Sequence, residues 1–124
     1  MTTRIKISLQ DIILEGELLD TPCGQSVARI LPIEAVPNQW GDEFYFPVPL
    51  DLPPDSTSTI SVNIGDIGYW PPGKVLAIFF GPTPMSSGER PVPASEVNIA
   101  GRITGDATVL RKVKKPGMLR VERI

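Results

Sequence analysis

The sequence predicts an all-β fold, a closed barrel of about eight short strands capped by two short helices, with residues 1–124 as a single domain. Three observations predict it. Several segments alternate polar and apolar residues with the two-residue period of a half-buried strand. The 14 prolines are spread through the chain, where they separate short strands. Hydrophobic residues make up 41% of the chain and charged residues 21%, which is enough apolar area for one core.

The sequence pattern of the first 32 residues predicts a hairpin followed by a helix. Residues 4–9 and 12–18 alternate as two strands around a tight turn. Thr21 then carries the hydroxyl of a helix N-cap, and Pro22 suits the first helical position. Apolar residues recur at helical spacing up to Pro32, so we expect one short helix here.

The rest of the chain predicts further strands and a second helix. Residues 71–73, Pro-Pro-Gly, predict a turn between two strands. Residues 81–93 hold too many prolines and glycines for regular structure, and we expect an ordered functional loop. The second helix is predicted at residues 106–115. The remaining strands are predicted at residues 33–50 with a bend at Gly41 and Asp42, and at residues 59–62, 67–70, 74–80, 98–103 and 118–124. Strands in this number can form a closed barrel, which has no exposed strand edges.

Charge and hydropathy exclude several classes of partner. The formal net charge of -2 provides no positive field for a phosphate backbone, so we expect no nucleic-acid partner. No apolar run is long enough to span a bilayer, and the N-terminus lacks the apolar core of a signal peptide. We therefore expect no membrane partner and a cytoplasmic location.

The absence of histidine limits the chemistry that the chain can perform. Histidine is the commonest general base near neutral pH and the commonest ligand for zinc, copper and iron. We expect no metal and no cofactor, and the sequence identifies no set of catalytic residues. The lone Cys23 has no partner for an internal disulfide, and packing is the commoner role of a single cysteine, although its position near a helix start can stabilise a thiolate.

All aromatic residues fall within one part of the chain. The two tryptophans, two tyrosines and four phenylalanines lie between positions 40 and 80. Neighbouring aromatic residues occur at 45–46, 69–70 and 79–80, and on a strand each pair must send one ring away from the interior. Outward rings in this number favour a groove that binds a peptide segment or a small apolar ligand. The predicted groove residues are Trp40, Glu43, Tyr45, Tyr69, Trp70, Phe80 and Met85.

Two alternatives to an open groove remain. Loops can cover the outward rings as a small satellite core, or the rings can form the interface of a homo-oligomer. Glu43 would orient a ligand in the groove. For this glutamate the sequence favours a solvated position at the rim over a desolvated acid or base beside Trp40 and Tyr45.

Four segments together resemble the small prokaryotic cyclophilin-like family. They are residues 38–46 (NQWGDEFYF), 65–74 (GDIGYWPPGK), 79–86 (FFGPTPMS) and 93–98 (PASEVN). The resemblance covers nearly the whole chain in order and spacing. It implies an eight-stranded closed barrel with a helix over each end.

The resemblance also implies an activity to be considered. Cyclophilins are peptidyl-prolyl cis/trans isomerases that seat proline in an apolar pocket while an arginine weakens the amide resonance. Val36 and Pro37 resemble the strand region in which cyclophilins hold that arginine, but no arginine is present there. The histidine of the cyclophilin groove is also absent, because the chain contains no histidine. Phe79, Phe80 and Met85 can still form an apolar pocket of proline size. Ligand binding is therefore the leading hypothesis, and an isomerase without the usual arginine and histidine is the alternative.

Overall fold

Nine strands and two short helices form between residues 2 and 124, the part of the chain that this computed structural model describes. The strands are β1 (Thr3–Leu9), β2 (Ile12–Leu18), β3 (Ile33–Ala35), β4 (Asn38–Gln39), β5 (Glu43–Pro47), β6 (Asp66–Trp70), β7 (Val75–Phe79), β8 (Asn98–Ile103) and β9 (Leu119–Arg123). The helices are α1 (Pro22–Arg29) and a 3₁₀ helix (Ala107–Lys112). Neither of these helices has the length and apolar character needed to cross a membrane.

All nine strands belong to one antiparallel sheet that is curled but open. The strand order is β3-β9-β1-β2-β8-β6-β7-β5-β4. Within residues 2–124, β3 and β4 are the two edges of the sheet and no ladder joins them. The prediction of a closed eight-stranded barrel is therefore wrong, and the architecture is a nine-stranded half-barrel.

The short edge strands explain why the barrel stays open. Strand β3 has 3 residues and β4 has 2, so neither can form a long ladder. Pro37, which lies between them, has no N–H group to donate. Only Val36 and Pro37 separate the two strands, so the covalent chain keeps the sheet edges near each other.

Two other predicted elements differ from the structure. Residues 59–62 do not form a strand, and a single bridge joins Thr59 to Val97. The second helix is a 3₁₀ turn, in which Asp106 caps the start by accepting from the Thr108 N–H at 3.0 Å. β-branched residues such as Thr108 and Val109 restrict α-helical side-chain conformations, which favours this short, tight form.

The inner face of the sheet forms the main core. Along β1 the alternation turns Ile5, Ile7 and Leu9 inward, and all three are fully buried. Helix α1 begins as predicted, because the Thr21 hydroxyl accepts from the Gly24 N–H at 3.1 Å and Pro22 occupies the first turn. Residues from both helices join the same core, among them Val27 and Leu110. The outer face of β5, β6 and β7 is left to carry other side chains.

Candidate functional site

The three aromatic pairs split between the two faces of the sheet, as the strand period requires. Each pair has one ring in the main core and one on the outer face. The inward rings are those of Phe46, Tyr69 and Phe80. The outward rings are those of Tyr45, Trp70 and Phe79. Phe79 is fully buried there against Val62 and Val97, so a small satellite core covers one of the three outward rings.

A cavity of about 320 Å³ lies on this outer face. Its floor follows from the register of three strands, because Glu43 pairs with Phe79, Tyr45 with Ala77, and Trp70 with Val75. Trp40 from the turn after β4 and Pro93 from the loop before β8 complete the walls. The volume is at the lower end of the range of about 300–1,000 Å³ that small-molecule sites occupy. The cavity is therefore large enough for one small apolar group.

The turn that carries Trp40 and Glu43 is tied to neighbouring segments. The Trp40 N–H donates to the Glu43 carbonyl at 2.9 Å, which closes the turn. Gly41 adopts φ +59, a conformation that favours glycine, and a Cβ there would lie 2.8 Å from Pro84. Asp42 donates its N–H to the Pro82 carbonyl at 2.9 Å. Both site residues are thus held by backbone geometry.

The loop over residues 81–93 is ordered by its own polar side chains. Thr83 donates its hydroxyl to the Val92 carbonyl, and its N–H donates to the Ser86 hydroxyl at 3.0 Å. The Arg90 side chain reaches back to the Val62 carbonyl at 2.9 Å. These bonds fix the segment that leads into Pro93 at the cavity wall, so the loop is ordered as predicted, whereas its functional role stays a prediction.

Trp70 stands between the floor and this wall. Its indole N–H donates to the Ser95 hydroxyl at 2.7 Å, and Gly73 packs against its six-membered ring. A Cβ on Gly73 would lie 2.7 Å from the ring, so only glycine permits this approach. The side chain is half-buried and has one fixed orientation at the cavity.

Glu43 is the most unusual group in the cavity. It is only 8% exposed, and it is the single charged residue among the cavity-lining residues of the described chain. Burial raises the pKa of this carboxyl to about 7, and no hydrogen bond or neighbouring charge offsets that effect. The expectation of a solvated rim position is therefore wrong. The reason is that the Trp40 turn and Phe79 of β7 lie beside this side chain and leave little of it exposed, which the local sequence does not reveal.

The structure brings together four of the predicted groove residues and separates the other three. Trp40, Glu43, Tyr45 and Trp70 line the cavity. Tyr69 faces the opposite side of the sheet, where its hydroxyl donates to the Leu50 carbonyl at 2.8 Å. Phe80 packs in the core against Phe44 with ring centroids 4.6 Å apart. Met85 is 56% exposed and lies outside the cavity.

Some lining residues were not among the predicted groove residues. Phe79 and Ala77 belong to the floor because they share a face with Tyr45 across the β5–β7 ladder. The two-residue period gives their common face, but the pairing that brings it beside Tyr45 is a tertiary feature. Pro93, Ala94 and Val97 come from a loop and show no periodic signal.

Cys23 has a packing role. It is 1% exposed in the core, and its pKa is raised to about 12, mainly by burial and then by the charge of Asp55. The thiol is therefore protonated at neutral pH and inaccessible, which excludes it from the candidate site.

Comparison with known proteins agrees with this fold. The model of the family described as Cyclophilin-like matches residues 3–122. The solution structure of a hypothetical protein from Archaeoglobus fulgidus superimposes with a TM-score of 0.80 at 35% identity, covering 99% of this chain and 95% of that one. No curated protein matches the chain. The chain belongs to the cyclophilin-like family, and the resemblance of its four sequence segments is confirmed.

Proposed function

We propose that this chain is a binding module whose outer-face cavity holds a small apolar ligand or an apolar side chain of a peptide segment. The observation that carries the proposal is the cavity of about 320 Å³, which is walled by Trp40, Tyr45 and Trp70 and contains the buried, unpartnered Glu43. Rings of this kind offer large rigid area at a low cost in conformational entropy. Burial of a carboxyl disfavours folding, and a role in ligand binding would account for its position at the cavity.

The test compares a variant at the cavity with a control variant away from it. Trp70→Ala removes a cavity wall that lies outside the main core, whereas Met85→Ala truncates an exposed side chain that does not line the cavity. Benzyl alcohol is titrated while the amide resonances are followed by NMR. We expect Trp70→Ala to lose at least about tenfold in affinity, and Met85→Ala to bind like the wild type. Equal affinity of the folded Trp70→Ala variant would overturn the proposal.

The isomerase alternative finds less support in the geometry. Among the described residues that line the cavity there is no arginine to weaken amide resonance. A proline-peptide assay measures this activity directly, because the uncatalysed interconversion takes on the order of tens of seconds. If micromolar wild-type protein accelerates this interconversion and the Trp70→Ala variant does not, the cavity catalyses isomerisation, and the proposal of simple binding is overturned.

The oligomer alternative is disfavoured by electrostatics. An interface across the cavity would bury Glu43 still further, and an uncompensated buried charge is strongly destabilising. Sedimentation of the wild type at two concentrations tests this point, because a concentration-dependent dimer that is lost in the Trp70→Ala variant would assign the rings to an interface.

A further inference from the structure

Glu43 is the one charged residue that lines the aromatic cavity, and none of the described residues binds its carboxylate. Glu43 is more than nine-tenths buried and lines the cavity beside Trp40 and Tyr45. Between residues 2 and 124, no group donates a hydrogen bond to its carboxylate or forms an ion pair with it, and burial is the sole cause of its altered acidity. Carboxylates on largely buried residues normally have such partners, so this carboxylate is available to a molecule that enters the cavity.

The cations of the surrounding chain are engaged elsewhere. The Arg111 guanidinium lies 3.1 Å from Asp42, and the Lys74 ammonium lies 3.6 Å from Asp51. Neither basic residue lines the cavity. A positive charge that meets Glu43 must therefore come from the molecule that binds.

The rings around Glu43 favour the same kind of group. Trp40, Tyr45 and Trp70 line one cavity with the carboxylate. The faces of such rings attract organic cations, most strongly where water is excluded. Together they offer apolar contact to a hydrocarbon body and attraction to one positive charge. An anion would be repelled by Glu43, and a neutral apolar ligand would leave the carboxylate buried without a partner.

We propose that the cavity recognises a primary ammonium group on an apolar body, with Glu43 as its counter-ion and the three rings as its walls. The inference rests on the proposed binding function and names the chemical class of the ligand. A free amine and the lysine side chain of a peptide share this chemistry. The ammonium group donates hydrogen bonds to the Glu43 carboxylate, and the hydrocarbon part contacts the floor of β7.

The test uses two probes of nearly equal shape, benzylammonium and benzyl alcohol, titrated at pH 8 with detection by NMR. We expect benzylammonium to bind at least about tenfold more tightly than benzyl alcohol. The Glu43→Gln variant should bind both probes equally. A second arm compares Nα-acetyl-lysine methylamide with its norleucine counterpart. A lysine preference that exceeds the benzylammonium preference indicates a peptide as the source, and the reverse indicates a free amine.

A measurement on the wild type alone removes any dependence on the folding of the variant. Affinity for benzylammonium should fall as the pH is lowered below 7, until it is similar to that for benzyl alcohol, because only the ionised carboxyl pairs with the cation. Affinity for benzyl alcohol should not fall. The other titratable groups near Glu43 are Tyr45 on the same strand and Asp42, which is paired with Arg111, while the described lining residues of β7 and of the loop before β8 contribute none.

The outcomes separate the two proposals. Equal wild-type affinity for the two probes would overturn the ammonium inference and leave the binding function standing. Binding of neither probe at millimolar concentration would overturn both. A benzylammonium preference that persists in folded Glu43→Gln, or that does not change with pH, would overturn the role of Glu43 as counter-ion.

Discussion

Arg111 Nε lies 3.1 Å from Asp42 Oδ2, and this ion pair joins the 3₁₀ helix to the turn that carries Trp40 and Glu43. The space around the pair is tight, because a Cβ on Gly81 would lie 2.3 Å from the same Asp42 oxygen. The Asp42 carbonyl also accepts from the Phe80 N–H at 2.9 Å. One residue therefore couples the helix, the end of β7 and the wall of the cavity.

Replacing Arg111 by methionine should loosen this turn more than it destabilises the fold. The pair is partly exposed, so we expect a loss of about 0.5–1 kcal/mol in the free energy of unfolding, measured by urea denaturation. Benzylammonium affinity should fall because the walls lose their support. The control is Arg102→Met, which breaks an ion pair with Glu17 away from the cavity. An equal loss of affinity in both variants would contradict a positioning role for Arg111.

Gly41→Ala should destabilise the protein by about 1–3 kcal/mol, because a side chain at φ +59 is strained and its Cβ would lie 2.9 Å from the Thr83 backbone. The matched control is Gly88→Ala in the loop over residues 81–93. A Cβ there meets no atom within 4 Å, and we expect a change within about 0.5 kcal/mol. Urea denaturation of both variants checks the difference, and similar values would contradict the tight contact at Gly41.

Tyr69→Phe should cost about 1–2 kcal/mol of stability, since its hydroxyl donates to the Leu50 carbonyl at 2.8 Å and accepts from the Leu52 N–H at 3.1 Å. Both backbone groups lose their partner in the variant. Tyr45→Phe removes the hydroxyl of a half-buried ring at the cavity and serves as the control, with an expected change within about 0.5 kcal/mol. If Tyr69→Phe and Tyr45→Phe lose equal amounts of stability in thermal and urea unfolding, Tyr69 does not anchor the segment that contains Leu50 and Leu52.

Stability should depend on pH through Glu43. The carboxyl has a pKa of about 7 in the folded chain and 4.5 as its ordinary value, so between these values only the unfolded chain ionises. The folded state binds more protons in this window, and rising pH therefore favours unfolding. The penalty is absent below about 4.5 and complete above about 7. Relative to the wild type, Glu43→Gln should gain about 2–3 kcal/mol of stability between pH 4.5 and pH 7.5.

Urea denaturation of the wild type and Glu43→Gln across this range measures that difference. The two stability profiles should run parallel above about pH 8, where Glu43 is almost fully ionised in both the folded and the unfolded chain. Parallel profiles throughout the range would show that the carboxyl is solvated in the folded protein, and would also remove the basis for its role in ligand binding.

Local chemistry alone predicts much of the secondary structure. The alternation at residues 12–18 gives strand β2 with the same bounds, and the Thr21 and Pro22 pair gives the start of α1. These features depend on neighbouring residues only, through the two-residue strand period and the unsatisfied N–H groups of a first helical turn. The resemblance to the cyclophilin-like family was also recognisable from the sequence, because it rests on four short segments in a fixed order along the chain.

The position of the site was only partly accessible from local patterns. Alternation requires that Phe79 and Phe80 face opposite sides, but it does not state which side is the core. Both rings are fully buried, one beneath the loop residue Val97 and one beside Phe44. The two-residue period correctly separates the two rings, and the structure places Phe79 at the cavity and Phe80, the predicted groove residue, in the main core.

The sequence by itself determined the strand-rich character, the capped first helix and the opposition of faces within each aromatic pair, because these depend on covalent geometry and nearest neighbours. Only the tertiary structure decided that the sheet stays open between β3 and β4 and that Glu43 is buried beside Trp40. The physical reason is that sheet closure and desolvation depend on segments far apart in the chain. The hydrogen bonds and contacts of those segments exist only once the chain has folded.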